Sequence, residues 1–378
     1  MLELLFLLLP VAAAYGWFMG RNSTKHKELK GRASITRNLS SGLNFLLTDQ
    51  EDKAIEQLLE LLDIEAATIE TYLALATLFR RKGDWDKAIR IHEKLHHLKL
   101  PKPQAQQIQY ELAKDYYSAG LYDRAENLLV TLVKSKKFAE PALKQLFSIF
   151  IATQEWEKAQ LYSQAVNDTG SNVLQVGMAN MLIEADKVNQ LISINKLTAL
   201  AERYPKSIRA KYELGLLALK NNDFNTAKSA LLHIIQQKPQ WSAELLPLLL
   251  QCQFEKEEWY QLLSNLANKK HNITAIALLS DWLAEHGSAI AAEQLLLDQV
   301  QQQPSIRLFQ KLLQLRQQQS ALAAESLSSI EGLVQAYLDK KVLFSCRNCG
   351  FKTRNQYWLC PSCQQWETVE PISGIDGR

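Results

Sequence analysis

Glycine and proline are scarce in this 378-residue chain, at 14 and 10. Few breakers against abundant Leu, Ala, Gln and Lys favour helix throughout. An excess of one charge is also missing. The formal net charge of +3 is close to neutral for this size, so no global field argues for nucleic acid. Cysteine is sparse as well: four of the five lie within residues 346–363 and Cys252 stands alone. That placement excludes a disulfide framework spread over a secreted scaffold, and clustered thiols point to a metal site in a reducing compartment. Hydrophobic residues at 47% and charged ones at 22% exclude a disordered chain.

What is present is a repeat. Gly83-Asp84-Trp85-Asp86-Lys87-Ala88 recurs in looser form as Tyr122-Asp123-Arg124-Ala125, Trp156-Glu157-Lys158-Ala159 and Phe224-Asn225-Thr226-Ala227, each with an aromatic three residues before an alanine. Alanines 54, 88, 125, 159 and 227 are separated by 34, 37, 34 and 68 residues. A period of 34 is that of tetratricopeptide helix pairs. Alanine suits the close approach of two helices, the aromatic fills the gap beside it, and Gly83 or Gly120 lets the chain reverse. Pro101 and Pro103 end one unit and absorb the longer spacing. Counting 12 residues back from Pro205, Pro239 and Pro304 places Ser193, Ala227 and Ala292 in the small-residue slot, with Leu262 following Trp259 in a further unit. The expected array is about eight pairs over residues 35–315, offering a concave groove for partner proteins. Residues 316–341 read as a linker helix that packs on the C-terminal module.

Residues 4–20 carry no charge, at the lower limit of a membrane span. Tyr15 and Trp17 sit near its end, and Arg21, Lys25, Lys27, Lys30, Arg32 and Arg37 follow with only Glu28 against them. The positive-inside rule makes residues 1–20 a transmembrane anchor with its N-terminus outside, and 21–34 a basic juxtamembrane segment. The competing reading, a signal peptide cut after Ala12-Ala13-Ala14, needs a positive start where the chain has Glu3.

His92-Glu93-Lys94-Leu95-His96 fits the zinc-peptidase pattern of two histidines one turn apart with a glutamate base. No third ligand follows at a familiar spacing, and the same residues fit the second helix of a repeat, so no catalytic residue is assigned. Cys252 beside Leu248-Leu249-Leu250 reads as a small buried hydrophobe.

The strongest chemical signal is Cys346-Arg347-Asn348-Cys349-Gly350, then Cys360-Pro361-Ser362-Cys363. Two such pairs supply four thiolates to one tetrahedral ion, each pair forming a tight turn. Cys346, Cys349, Cys360 and Cys363 are therefore the expected ligands of one metal ion, and both iron and zinc accept that set. Phe351, Tyr357, Trp358 and Trp366 are expected to cover the core of this module, residues 342–378, which needs its metal to fold. Five basic against three acidic residues from Lys341 onward give little pull on nucleic acid. The fold class is all-α: a TPR-type α-solenoid with an N-terminal transmembrane helix and a small zinc-ribbon-like module.

Gly42-Leu43-Asn44-Phe45-Leu46-Leu47 leads to Asp52-Lys53-Ala54-Ile55, and the four cysteines stand with Tyr357, Trp358 and Trp366 ahead of Pro371-Ile372-x-Gly374-Ile375-Asp376-Gly377. In these motifs the whole chain resembles the bacterial lipopolysaccharide assembly protein B (LapB/YciM) family. It implies a rubredoxin-like last module, although rubredoxins have glycine after both cysteine pairs and here Gln364 follows the second. It further implies a non-enzymatic, single-pass regulator at the inner membrane. Its implied partners are the membrane protease FtsH, the deacetylase LpxC and other lipopolysaccharide synthesis and transport proteins. A homodimer stays open. A rubredoxin-like electron carrier and a nucleic-acid-binding zinc ribbon are the alternatives.

Overall fold

The computed structural model describes residues 69–270, 272–319, 324–375 and 377. The anchor expected at 1–20, the juxtamembrane stretch expected at 21–34 and the repeat expected around Ala54 lie outside the described residues. Among the described residues no helix is long and apolar enough to cross a membrane.

The helices follow one another as pairs. They are α1 Ile69–Lys82 with α2 Trp85–His96, α3 Lys102–Ser118 with α4 Tyr122–Leu132, and α5 Ala139–Thr153 with a split partner. That partner is a 3-10 stretch, Trp156–Tyr162, followed by α6 Ser163–Thr169. Next come α7 Asn172–Val188 with α8 Ile194–Arg203, and α9 Ile208–Lys220 with α10 Phe224–Gln237. A 3-10 turn, Pro239–Trp241, leads into α11 Ser242–Leu249 and α12 Lys256–Lys270. The last pairs are α13 Ile273–His286 with α14 Ala289–Gln302, and α15 Ile306–Gln319 with α16 Ala324–Asp339. The described residues divide into two compact units, one ending at Ile149 and the other beginning at Phe150.

The reversal within the pairs has one recurring cause. Gly83, Gly120, Gln154, Gln190 and Asn222 all have positive φ, from 56° to 90°. The next residue's N–H then reaches back five positions: Asp84 to the Phe79 carbonyl, Leu121 to Tyr116, Glu155 to Phe150, Leu191 to Asp186 and Asp223 to Ala218. This is the Schellman closure of a helix C-terminus, normally built on glycine. The worn repeats keep the turn after losing the glycine.

In the first unit Tyr72, Ala76, Phe79, Ala88, Ile91 and Leu95 form one core. Ala88, Ala125, Ala159, Ala227 and Ala292 are all fully buried, as the spacing requires. Two slots differ from expectation. Ser193 is exposed and caps α8, accepting from the Lys196 N–H, while Leu197 is buried in its place. The reason is length: α8 has 10 residues where α10 has 14, so a fixed count back from the proline overshoots to the cap. Leu262 is only half-buried and Leu263 fills the core. Cys252 is buried in the core of the second unit beside Leu249, and burial pushes its thiol up.

The segment expected as a linker holds α16, and this helix packs along α15 rather than on the terminal module alone. Gln310 donates to Glu331 (3.0 Å) and Gln335 (2.5 Å), and Gln314 donates to Glu331 (3.0 Å). Three short strands follow: β1 Phe344–Cys346, β2 Lys352–Thr353 and β3 Val369–Pro371. They form an antiparallel sheet of order β2-β1-β3, with Phe344 opposite both Thr353 and Pro371.

Candidate metal centre and its seat on the helices

The two cysteine pairs fold as matching turns. Gly350 N–H donates to the Cys346 carbonyl and Gln364 N–H to the Cys360 carbonyl, both at 2.9 Å. Cys346 N–H donates to the Phe351 carbonyl (2.7 Å) and Cys360 N–H to the Gln365 carbonyl (3.0 Å). Gly350 has φ 75° and Gln364 φ 52°, so the second turn keeps the left-handed geometry that glycine would adopt more easily.

All four Sγ atoms lie within 4.8 Å of one another. Cys346–Cys363 and Cys349–Cys360 are each at 3.7 Å. That is too long for disulfides, whose sulfurs sit about 2.05 Å apart. It agrees with the spacing of about 3.8 Å between ligands of a tetrahedral ion with bonds of about 2.3 Å. Cys346 and Cys360 are buried, Cys363 is intermediate and Cys349 is exposed.

The electrostatics favour thiolates on the first pair. Burial pushes the Cys346 thiol up, but Thr368 and the Asn348 and Cys349 N–H groups outweigh it and bring it to about 6. The Phe351 N–H lowers Cys349, whereas burial raises Cys360 to about 12. The set titrates as one system, and a bound cation would draw the remaining protons off. These residues fit one metal ion, and when bound the ion crosslinks the two turns.

The module's own core is Phe344, Cys346, Cys360 and Val369, with Leu343, Phe351 and Cys363 packed against it. Trp358 and Trp366, expected to cover that core, instead face the helices. Trp358 stacks on Trp241 (centroids 5.4 Å, planes 5° apart) and meets Tyr212 edge-on at 5.2 Å. Trp366 meets Trp156 edge-on at 6.1 Å. Arg209 stands over both module tryptophans, 5.7 Å from Trp358 and 5.8 Å from Trp366.

Beside them Glu367 enters the array. Its carboxylate accepts from Asn180 Nδ2 (2.7 Å), Ser207 Oγ (2.6 Å) and the N–H groups of Ile208 (2.7 Å) and Arg209 (3.2 Å). Ser207 caps α9, so the carboxylate sits on a helix N-terminus, where the dipole and free N–H groups favour an anion. Burial still pushes this carboxyl up overall, against those four donors. Arg209, almost fully buried, is neutralised by Glu184 (2.5 Å). Glu370 completes the seat through Lys238 and Gln240. The module's position is thus set by α7, α9 and the Pro239–Trp241 turn. Asn180, Ser207, Arg209, Tyr212, Trp241 and Glu367 were not singled out from the sequence.

The other patterned site is not a metal centre. His92 is fully buried, with Nδ1 on the Asp115 carboxylate, which also pairs with Arg80 at 2.6 Å. Glu93 accepts from the Tyr116 hydroxyl (2.6 Å), and His96 is exposed beside His97. One histidine faces the core and the other solvent, so they do not converge. Among the described residues the only cluster able to hold a metal is the four cysteines.

Helix pairs of the tetratricopeptide type, carrying a small four-cysteine module able to hold one metal ion, define a helical-repeat protein with an appended rubredoxin-type module. Residues 71–104 match the tetratricopeptide repeat family, and residues 344–371 match the rubredoxin metal binding domain. The chain is 34% identical to lipopolysaccharide assembly protein B of Escherichia coli (strain K12), with 100% of both chains covered. It is 32% identical to the protein of that name from Haemophilus influenzae, with 99% of both covered. It therefore belongs to the lipopolysaccharide assembly protein B family. Among solved structures, pilF of Pseudomonas aeruginosa overlaps 55% of this chain and 94% of its own at 14% identity and TM-score 0.32, a likeness that says nothing about function.

Proposed function

We propose that the chain is a non-enzymatic adaptor of lipopolysaccharide assembly, held at the inner membrane. Full-length similarity to proteins named for that assembly carries the reading. In this reading residues 1–20 are the single-pass anchor with the N-terminus in the periplasm. Residues 35–315 hold client proteins on the cytoplasmic side, and residues 342–378 form a module whose Cys346, Cys349, Cys360 and Cys363 bind one iron or zinc ion. The clients are lipopolysaccharide synthesis and transport proteins, foremost an LpxC-type deacetylase presented to an FtsH-type membrane protease. Support for client binding comes from α1 and α3, which line an open groove of about 380 Å³ with Leu73, Leu78, Arg81, Gln107 and Glu111. Mixed apolar and charged lining of this kind suits peptide segments.

The test is the half-life of the deacetylase in cells with and without the chain. The proposal expects a short half-life that lengthens when the chain is removed; an unchanged half-life sinks the protease branch of the proposal. A second reading, a four-thiolate electron carrier, draws on the exposed ligand Cys349. Purified chain that holds only zinc rules it out.

A further inference from the structure

The side chains that seat the module cluster around the second cysteine turn. Trp358 lies two residues before Cys360, and Trp366 and Glu367 lie three and four residues after Cys363. The Gln364–Thr368 segment between turn and strand is fastened to both cysteine pairs. Gln365 accepts from the Cys360 N–H (3.0 Å), and the Thr368 carbonyl accepts from the Arg347 N–H (2.7 Å). The Cys346 thiol also lies 3.3 Å from Thr368 Oγ1. Within that segment Glu367 has φ 53°, a left-handed conformation that a non-glycine residue holds only under constraint. Its own N–H is tied to the Trp358 carbonyl at 2.7 Å. The sheet beneath supplies little independent rigidity, since β1 pairs β2 over two residues and β3 over three.

We propose that Glu367 is a metal-dependent latch. Closure of the four-cysteine site sets the Gln364–Thr368 segment so that Glu367 caps α9, and loss of the ion releases the module and uncovers Trp156, Tyr212 and Trp241. This rests on the four-thiolate reading of the site and goes beyond it, because it couples metal content to the surface the array presents. The receptor is complete on the array side. Asn180, Ser207 and two backbone N–H groups converge on one carboxylate that is itself buried. No other part of the module supplies that carboxylate. A turn that opens when its two cysteine pairs separate withdraws Glu367 together with both tryptophans.

The experiment is amide hydrogen exchange on the full-length chain, read at residues 205–215, with metal content measured on every sample. The metal-loaded chain is compared with the chelated chain and with Glu367→Ala. In the metal-loaded chain the Ile208 and Arg209 amides should be protected. Chelation should speed their exchange by about tenfold or more while α14 stays unchanged. Glu367→Ala should keep its metal and show the same acceleration. Protection that survives chelation, or a Glu367→Ala chain that exchanges like the parent, overturns the latch. A chain that never takes up metal refutes the four-thiolate reading itself, and the latch with it.

Discussion

Replacing Trp358 with alanine tests how the module is held without touching a cysteine. Removing a fully buried tryptophan costs about 3–5 kcal/mol. Trp358 is half-buried, so roughly half of that, about 2 kcal/mol, is the packing share. The stack on Trp241 and the edge contact with Tyr212 each add about 0.5–1.5 kcal/mol. The Arg209 guanidinium over the ring adds about 0.5–1 kcal/mol. These contributions share atoms and do not sum fully, so a net loss of about 3 kcal/mol is expected, shifting the docked-to-free equilibrium about 100-fold. The assay is limited proteolysis of residues 344–371 in the full-length chain. When opening is fast relative to cleavage, its rate follows the released fraction. Metal content, measured in parallel, shows whether the module itself is intact. A variant that keeps its metal and is cleaved no faster than the parent would show that Trp358 does not hold the module.

Three further outcomes follow from other parts of the structure. His92→Ala leaves Asp115 buried beside Arg80 with one partner fewer, and should cost about 2–3 kcal/mol in urea unfolding while metal content stays unchanged; metal loss would revive the peptidase pattern. Gln364→Gly should relieve the left-handed turn by about 0.5–1 kcal/mol, seen as a higher chelator concentration needed to strip the metal, and lower resistance would contradict it. Burial raises the Glu367 carboxyl above its ordinary value, so the docked state holds the proton more tightly than the released state. At constant metal occupancy, the contribution of Glu367 to docking should therefore be fully present below the free-carboxylate value of about 4.3 and be lost as pH rises through the docked one. The protection of the Ile208 amide relative to its intrinsic exchange rate should fall with pH in the parent and stay constant in Glu367→Gln; equal slopes would refute the assignment.

The repeat was legible because its signal is local: an aromatic and an alanine three residues apart, with a turn just before them. It blurred at Ser193 and Leu262, where helix length changes and a fixed count no longer tracks the buried face. The cysteine turns were legible for the same local reason, and Gln364 shows that the turn outlasts its usual glycine. The docking seat was not legible. Asn180 and Ser207 meet Glu367 across separations of 187 and 160 residues, and no local period links them. The module's core is built on Phe344, Val369 and two cysteines, and Trp358 and Trp366 are not part of it. Trp358 and Trp366 cover the helices and not the module's own core because the module is docked and not free-standing.

The measurement that bears most directly on the account is partner capture by the intact chain taken from membranes, with metal quantified on the same sample. Lipopolysaccharide synthesis proteins should co-purify with a chain carrying one ion, and Cys360→Ser should lose both the ion and those partners. Capture of the same partners by metal-free Cys360→Ser would contradict it.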